Sequence, residues 1–240
     1  MTANKHRAII TGASSGIGKA TALAFAQAQI DVALVSRSSE KLHAVQEQVQ
    51  KTGVEVKTYV VDLAKVDQVQ REMEAIAADF APVDILVNNA GMGYTGTVSD
   101  TSLTDWQQVI DLNLTSVFQC IRGVLPHLRQ QEQGTIINLA SVAGKTPFPG
   151  WGAYNVSKAG LIALSKTLAA EERSNGVRVV AFSPGAVNTP IWDTDTVHAD
   201  FNRAAMLTPE IVAQSILHTA LLPEQAVVED ITLMPSAGAL

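Results

Sequence analysis

Arg7-Ala-Ile-Ile-Thr11-Gly12-Ala-Ser-Ser-Gly16-Ile-Gly18-Lys19, leading into helical residues as far as about Gln29, decides how this chain is read. The part up to Thr11 is a short apolar run and reads as a buried strand. Three glycines between a strand and a helix make a phosphate site. They allow a tight turn and close backbone approach, and the helix N-terminus offers free N–H groups and positive potential to a pyrophosphate. The spacing is Gly-x-x-x-Gly-x-Gly rather than the better-known Gly-x-Gly-x-x-Gly. A nucleotide-triphosphate P-loop is the rival, because Gly16-Ile-Gly18-Lys19 looks like its end. It fails at Ala13, where that loop needs its first glycine, and at Ala20, where Ser or Thr would meet magnesium. The candidate dinucleotide loop is therefore Gly12, Ser14, Ser15, Gly16, Ile17 and Gly18.

Outward from this loop the chain alternates strand and helix. Strands are expected at 31–35, 54–61, 84–87, 135–139 and 178–182, and a last one at 231–234. Helices are expected from a Ser38 or Ser39 cap to Gly53, and over 66–80, 117–129, 153–174 and 209–221. Ser102-Leu-Thr-Asp105 has the capping-box pattern and opens one more. Near-continuous apolar strands alternating with helices mean a parallel sheet covered on both faces. The fold expected is α/β: a single doubly wound Rossmann-type domain over residues 1–240, with about seven strands and ligands beyond their C-terminal ends. Gly12, Asn88 and Ser141 follow strands and belong to that edge.

Hydrophobic residues make up 47% and charged residues 17%, enough for a buried core, and the formal net charge of −6 disfavours nucleic acid or an anionic membrane as partner. No apolar run approaches a membrane span, and no signal peptide is expected before residue 7. Cys120 is the single cysteine and reads as core packing. The five histidines lack ligand spacing, so no metal is expected. A cytoplasmic protein is the reading.

The end of the second strand chooses between nicotinamide cofactors. An acid there would hold the ribose hydroxyls of NAD. Here the chain reads Ser36-Arg37-Ser38. Arg37 can pair with a 2′-phosphate through its planar fork, with hydroxyls from Ser36 and Ser38, so NADPH is expected over NADH.

Tyr154 and Lys158 stand four positions apart, so on a helix both side chains share one face. A phenol titrates near ~10 and alone is a poor base at neutral pH. An ammonium one turn away favours the phenolate, and Ser141 adds a hydroxyl able to hold a carbonyl or alcohol oxygen. That combination suits carbonyl/alcohol chemistry.

Thr11-Gly-Ala-Ser-Ser-Gly-Ile-Gly18, Asp62-Leu63, Asn88-Asn-Ala-Gly91, Asn113, Ser141, Tyr154-x-x-x-Lys158 and Pro184-Gly185 occur in this order. On these pieces the chain resembles the classical short-chain dehydrogenase/reductase family over nearly its whole length. The resemblance implies that Tyr154 protonates the carbonyl oxygen while NADPH delivers hydride to the carbon. It gives Ser141 the task of holding that oxygen. Lys158 would lower the Tyr154 pKa and bond the nicotinamide ribose, and Asn113 would hold a water linking Lys158 to solvent. Asp62, with Leu63 beside it, matches the family residue that meets the adenine. Asn88 braces the central strands, and Asn89, Ala90 and Gly91 lie on the cofactor, the last two on its ribose side. Val187 and Thr189, after Pro184-Gly185, match the segment that holds the carboxamide and phosphate.

Family members also carry a lid over the substrate, here about residues 186–207, and commonly assemble as tetramers (or dimers). The ending Val227-Val-Glu-Asp-Ile-Thr-Leu-Met-Pro235 lacks the Thr-Gly and Gly-Gly features of the 3-oxoacyl-carrier-protein reductases. It resembles instead the NADP-dependent branch acting on small carbonyls and hydroxy acids. Trp192, Phe148, Trp151, Met92 and Tyr94 offer an apolar pocket for such a substrate. Three functions stay in view: an NADPH-dependent carbonyl reductase, the carrier-protein reductase, and a non-catalytic NADP(H) sensor. A sensor has no need of Asn113, Ser141, Tyr154 and Lys158 together.

Overall fold

In a computed structural model, which describes residues 6–238, alternate residues of each central strand point to opposite faces of one sheet. Ile9, Ala33, Val35, Leu86, Ile136 and Val179 belong to one buried cluster, whereas Ala8, Ile10, Val32, Leu34, Val87 and Ile137 belong to another. This period of two on strands buried throughout produces two cores separated by the sheet. The strands are β1 (Arg7–Thr11), β2 (Asp31–Ser36), β3 (Val56–Val60), β4 (Ile85–Asn88), β5 (Gly134–Leu139), β6 (Val177–Pro184) and β7 (Asp230–Leu233). Their order is β3-β2-β1-β4-β5-β6-β7, and every pairing is parallel.

The first core is covered by α3 (Val66–Asp79), α5 (Ser116–Gln130) and α6 (Gly152–Glu172), which supply Met73, Val124 and Leu161. The second is covered by α1 (Gly16–Gln27), α2 (Ser39–Gln50) and α7 (Pro209–Ala220), through Phe25, Val45 and Ile216. The remaining helix, α4 (Leu103–Ile110), is capped by Ser102, which accepts from Asp105 N at 3.0 Å. The architecture is therefore the doubly wound α/β fold. From β1 the sheet grows one way through β2 and β3 and the other way from β4 onward, so the crevice at the ends of β1 and β4 is the switch point at which such folds bind ligands.

Two boundaries differ instructively from those expected. Helix α1 begins at Gly16, inside the glycine loop, rather than at Lys19. Glycine's poor helix propensity hides that first turn. Between α4 and α5 the backbone does not break; it continues through a π-helical turn, Asp111–Thr115, which contains Asn113. Ser38 rather than Ser39 caps α2, accepting from Lys41 N. Among the described residues no helix is long and apolar enough to cross a membrane.

Candidate active site

The glycine loop is shaped by its neighbours. Gly12 and Gly16 adopt φ of 65° and 52°, the left-handed region that favours glycine. A Cβ at Gly12 would stand 2.8 Å from Asn89 Nδ2 and 2.9 Å from the Ala90 Cα, and one at Gly18 would strike the Gly12 carbonyl oxygen. Asn89 makes this packing: its Nδ2 donates to Thr11 O at 2.9 Å and Gly12 O at 3.3 Å, and Thr11 Oγ1 accepts from the backbone N–H groups of Asn89 and Ala90. The Asn88-Asn-Ala-Gly91 turn is thus fastened to the end of β1. Thr189 closes the loop from above, its Cγ2 lying 3.2 Å from where a Gly16 Cβ would be. Ser14, Ser15 and Ile17 complete the loop at the N-terminal end of α1, where free backbone N–H groups suit a pyrophosphate.

At the end of β2, Ser36 Oγ donates to Ser14 Oγ at 2.9 Å. Arg37 is exposed and lines a groove of about 260 Å³ with Val61, Asp62 and Lys65. No ion pair engages Arg37 among the described residues. Leu63, next in the chain to Asp62, is buried in the first core. Asn88 is internal: its Nδ2 donates to Asn138 Oδ1 at 2.8 Å, and Asn138 Nδ2 donates to Ser165 Oγ at 2.9 Å, a chain that ties β4, β5 and α6 together.

Tyr154 lies in the first turn of α6, and Lys158 one turn on. Ser141 follows β5 with extended backbone and caps a short 3₁₀ turn through Ala143 N at 3.1 Å. Burial raises the Tyr154 pKa, and a hydrogen bond with Ser141 pulls it part of the way back. The Lys158 ammonium, 5.7 Å from the centre of the Tyr154 ring, donates to Leu139 O at 2.8 Å, and burial pushes its pKa down to about 8. The phenol thus sits above its ordinary value, where the lysine was expected to bring it below. The ammonium faces the ring and engages a carbonyl, while loss of solvent dominates at the hydroxyl.

Asn113 joins these groups because the π turn rotates it inward, where it is fully buried. Its Oδ1 accepts from Met92 N at 2.8 Å, and its Nδ2 donates to Met92 O at 2.9 Å and to Ser157 Oγ at 3.2 Å. A Cβ at Gly91 would stand 3.0 Å from Asn113 Oδ1 and 3.6 Å from Lys158 Nζ. Gly91, Asn113, Tyr154, Lys158 and Ser141 therefore form one cluster at the C-terminal edge of the sheet.

The segment after β6 arches over that cluster. Gly185 is pressed against Pro235 and Met234, and Val187 pairs with Leu207 as an isolated bridge. The arch rests on residues 93–95: Thr196 Oγ1 donates to Gly93 O at 2.8 Å, and Thr95 N donates to Thr196 O at 2.9 Å. Arg203, which sequence reasoning passed over, fastens its base. Its guanidinium donates to Asn188 Oδ1 at 2.8 Å, Asp193 Oδ1 at 3.0 Å and Thr189 O at 3.0 Å. Nothing in its sequence neighbourhood marks Arg203, because all three partners come from a fold-back of the segment on itself.

The comparisons with known proteins agree with this geometry. The model of the short chain dehydrogenase family matches residues 6–199. A 3-oxoacyl-[acyl-carrier-protein] reductase from Synechocystis sp. is 38% identical over 237 residues, covering 96% of this chain and 95% of that protein. A 3-oxoacyl-[acyl-carrier-protein] reductase from Staphylococcus epidermidis is 40% identical over 181 residues, covering 75% of this chain and 74% of its own. Among solved structures, an alcohol dehydrogenase from the archaeon Thermococcus sibiricus complexed with 5-hydroxy-NADP superposes with a TM-score of 0.89 at 28% identity, covering 99% of both chains.

Proposed function

We propose that this chain, which belongs to the short chain dehydrogenase family, reversibly reduces a ketone or aldehyde to an alcohol with NADPH. The carrying observation is that Tyr154 and Lys158 stand one turn apart on α6, with the Lys158 ammonium 5.7 Å from the centre of a Tyr154 ring whose phenol pKa burial has raised. A phenol above its ordinary pKa holds its proton at neutral pH, the state required of a donor to a carbonyl oxygen. Ser141 holds that oxygen beside Tyr154. Lys158 anchors the ribose of the cofactor, and Asn113 keeps the Met92 backbone and α6 in register beside it. NADPH, when bound, supplies the hydride received by the carbonyl carbon. Gly12, Gly16 and Gly18 hold its pyrophosphate, with Ser14, Ser15, Ile17 and Thr189 at the sides. Asp62 and Leu63 bound the adenine, Ala90 and Gly91 face the ribose, and Pro184, Gly185 and Val187 take the carboxamide side. The neighbour solved with 5-hydroxy-NADP supports the choice of cofactor. Arg37, exposed and unpaired over its groove, meets the 2′-phosphate.

The same reading makes the chain one domain with residues 186–207 as its lid, and places it in the cytoplasm as a homotetramer. Exposed Phe118 on α5 and Val156 on α6, with the open edge of β7, support assembly. A second reading, 3-oxoacyl-[acyl-carrier-protein] reductase, is favoured by the names of two relatives. NADPH oxidation by the purified protein against ketones, aldehydes, β-keto esters and a carrier-tethered 3-oxoacyl thioester, repeated with NADH, separates the two. Turnover of free carbonyls with NADPH and little with NADH supports the first. Turnover confined to the tethered thioester replaces it with the second.

A further inference from the structure

Four aromatic rings run in a continuous edge-to-face series from Tyr154 into the arch. Trp151 meets Tyr154 at 5.5 Å between centroids, Trp192 meets Trp151 at 5.9 Å, and Phe201 meets Trp192 at 5.3 Å, with interplanar angles of 65°, 72° and 81°. Rings at such angles are walls of a corner rather than a closed stack. All four residues are half-buried, so part of their surface remains open.

Each wall is held in place. The Trp192 indole N–H donates to Val187 O at 2.7 Å. Trp151 is fixed through Gly96, which pairs with it as a bridge and whose N–H donates to Gly150 O at 2.7 Å. Val197 and Ile191 pack down on Gly93, where a Cβ would stand 2.6 Å from Val197 Cγ2. Among the described residues, no guanidinium or ammonium lies over the face of Trp151 or Trp192; the one beside this series is Lys158, at Tyr154. Arg203 is committed to Asn188, Asp193 and Thr189, and Lys158 donates to Leu139 O and faces Tyr154 rather than the tryptophans.

We propose that Trp151 and Trp192 are specificity-determining residues, and that the substrate carries a flat, uncharged apolar group next to its carbonyl. This rests on the reductase reading, which fixes the carbonyl oxygen at Ser141 and Tyr154. With the oxygen there, the substituent on one side of the carbonyl lies in the Trp151–Trp192 corner. A planar group meets one ring face and one ring edge at once, the arrangement aromatic pairs prefer. A saturated ring of the same carbon count fills similar volume without that contact. A carboxylate in the Trp151–Trp192 corner would lose its hydration with no cation over either indole to replace it.

The test is calorimetric binding to the protein loaded with NADP⁺, in which a ketone meets no hydride donor. The probes are acetophenone, cyclohexyl methyl ketone and phenylglyoxylate. Acetophenone should bind about 2- to 10-fold tighter than cyclohexyl methyl ketone, the range expected of one aromatic pair, and phenylglyoxylate more weakly than acetophenone. Trp192→Leu and, as a second variant, Trp151→Leu should erase the preference for the planar ketone, with NADP⁺ affinity measured alongside as the control of folding. Equal binding of the two ketones overturns the proposal, as does a preference surviving both variants or tighter binding of phenylglyoxylate. The reductase reading fails separately: the planar preference would persist while no carbonyl compound supported NADPH oxidation.

Discussion

Lys158 is a buried cation that faces the Tyr154 ring and donates to the Leu139 carbonyl, and its burial sets how it contributes to stability as pH changes. Burial brings its pKa from 10.5 to about 8. Below about pH 8 the folded and unfolded chains both hold the proton, and the full burial penalty, of order 3 kcal/mol, is present. Between about 8 and 10.5 the unfolded chain binds more protons than the folded one, so stability should rise with pH across that window. Denaturant unfolding at pH 7 and pH 10 should show this rise in the wild type and lose it in Lys158→Met, which should also be the more stable protein at pH 7. An identical pH dependence in both would contradict the assignment. Arg37 makes the second prediction at this scale. A guanidinium on a phosphate contributes about 1.5–3 kcal/mol, so Arg37→Ala should lower the NADPH-over-NADH ratio of kcat/KM by about 10-fold or more in steady-state assays.

At the scale of the element, the π turn Asp111–Thr115 does what a regular helix would not. An inserted residue in the helical path turns Asn113 toward Met92 and Ser157, and such turns are frequent at functional sites. Asn113→Ala would leave both the Met92 N–H and C=O without their partner at a half-buried position, costing about 1–3 kcal/mol in urea unfolding as well as lowering kcat. The C-terminal turns of α5 and α6 are joined differently. Arg129 grips Glu172 with two hydrogen bonds, one of them Nε to Oε2 at 2.8 Å, and Asn175 adds a third at 2.8 Å. The Glu172 side chain is fully buried, and Arg129 holds its carboxyl below the ordinary range. Arg129→Met should therefore cost about 2–4 kcal/mol, less than a wholly buried pair because the guanidinium is half exposed. In the wild type this contribution is present above the ordinary glutamate pKa and is lost as pH falls through the lowered folded value. The acid-unfolding midpoint of the variant should accordingly move upward.

Across the whole molecule, the alternation of apolar strands with helices was enough to read the architecture, because every central strand is buried on both faces. The glycine loop, Asn88, Ser141, Tyr154 and Lys158 were legible because their chemistry lies in short local motifs. The start of α1 was not, since glycine masks its first turn. Nor was the π turn, because one inserted residue leaves the apolar pattern on either side intact. Trp151 and Trp192 were named as pocket residues, but their edge-to-face contact, like the partners of Arg203, joins segments that no local spacing encodes, and the Tyr154 pKa depends on burial that appears only once α6 packs beside β5. Assembly belongs to this scale too. Light scattering should report four times the mass of one chain, and Val156→Arg, placing charge on the exposed face of α6, should reduce it.

The central claim is that Tyr154 delivers the proton to a carbonyl held by Ser141. Tyr154→Phe removes one oxygen and keeps the ring against Trp151. NADPH-dependent reduction of the best ketone in the panel should fall at least about 1,000-fold, within the range of a lost acid–base group, while NADPH affinity stays within about 2-fold. Substantial turnover by the phenylalanine variant would contradict the account.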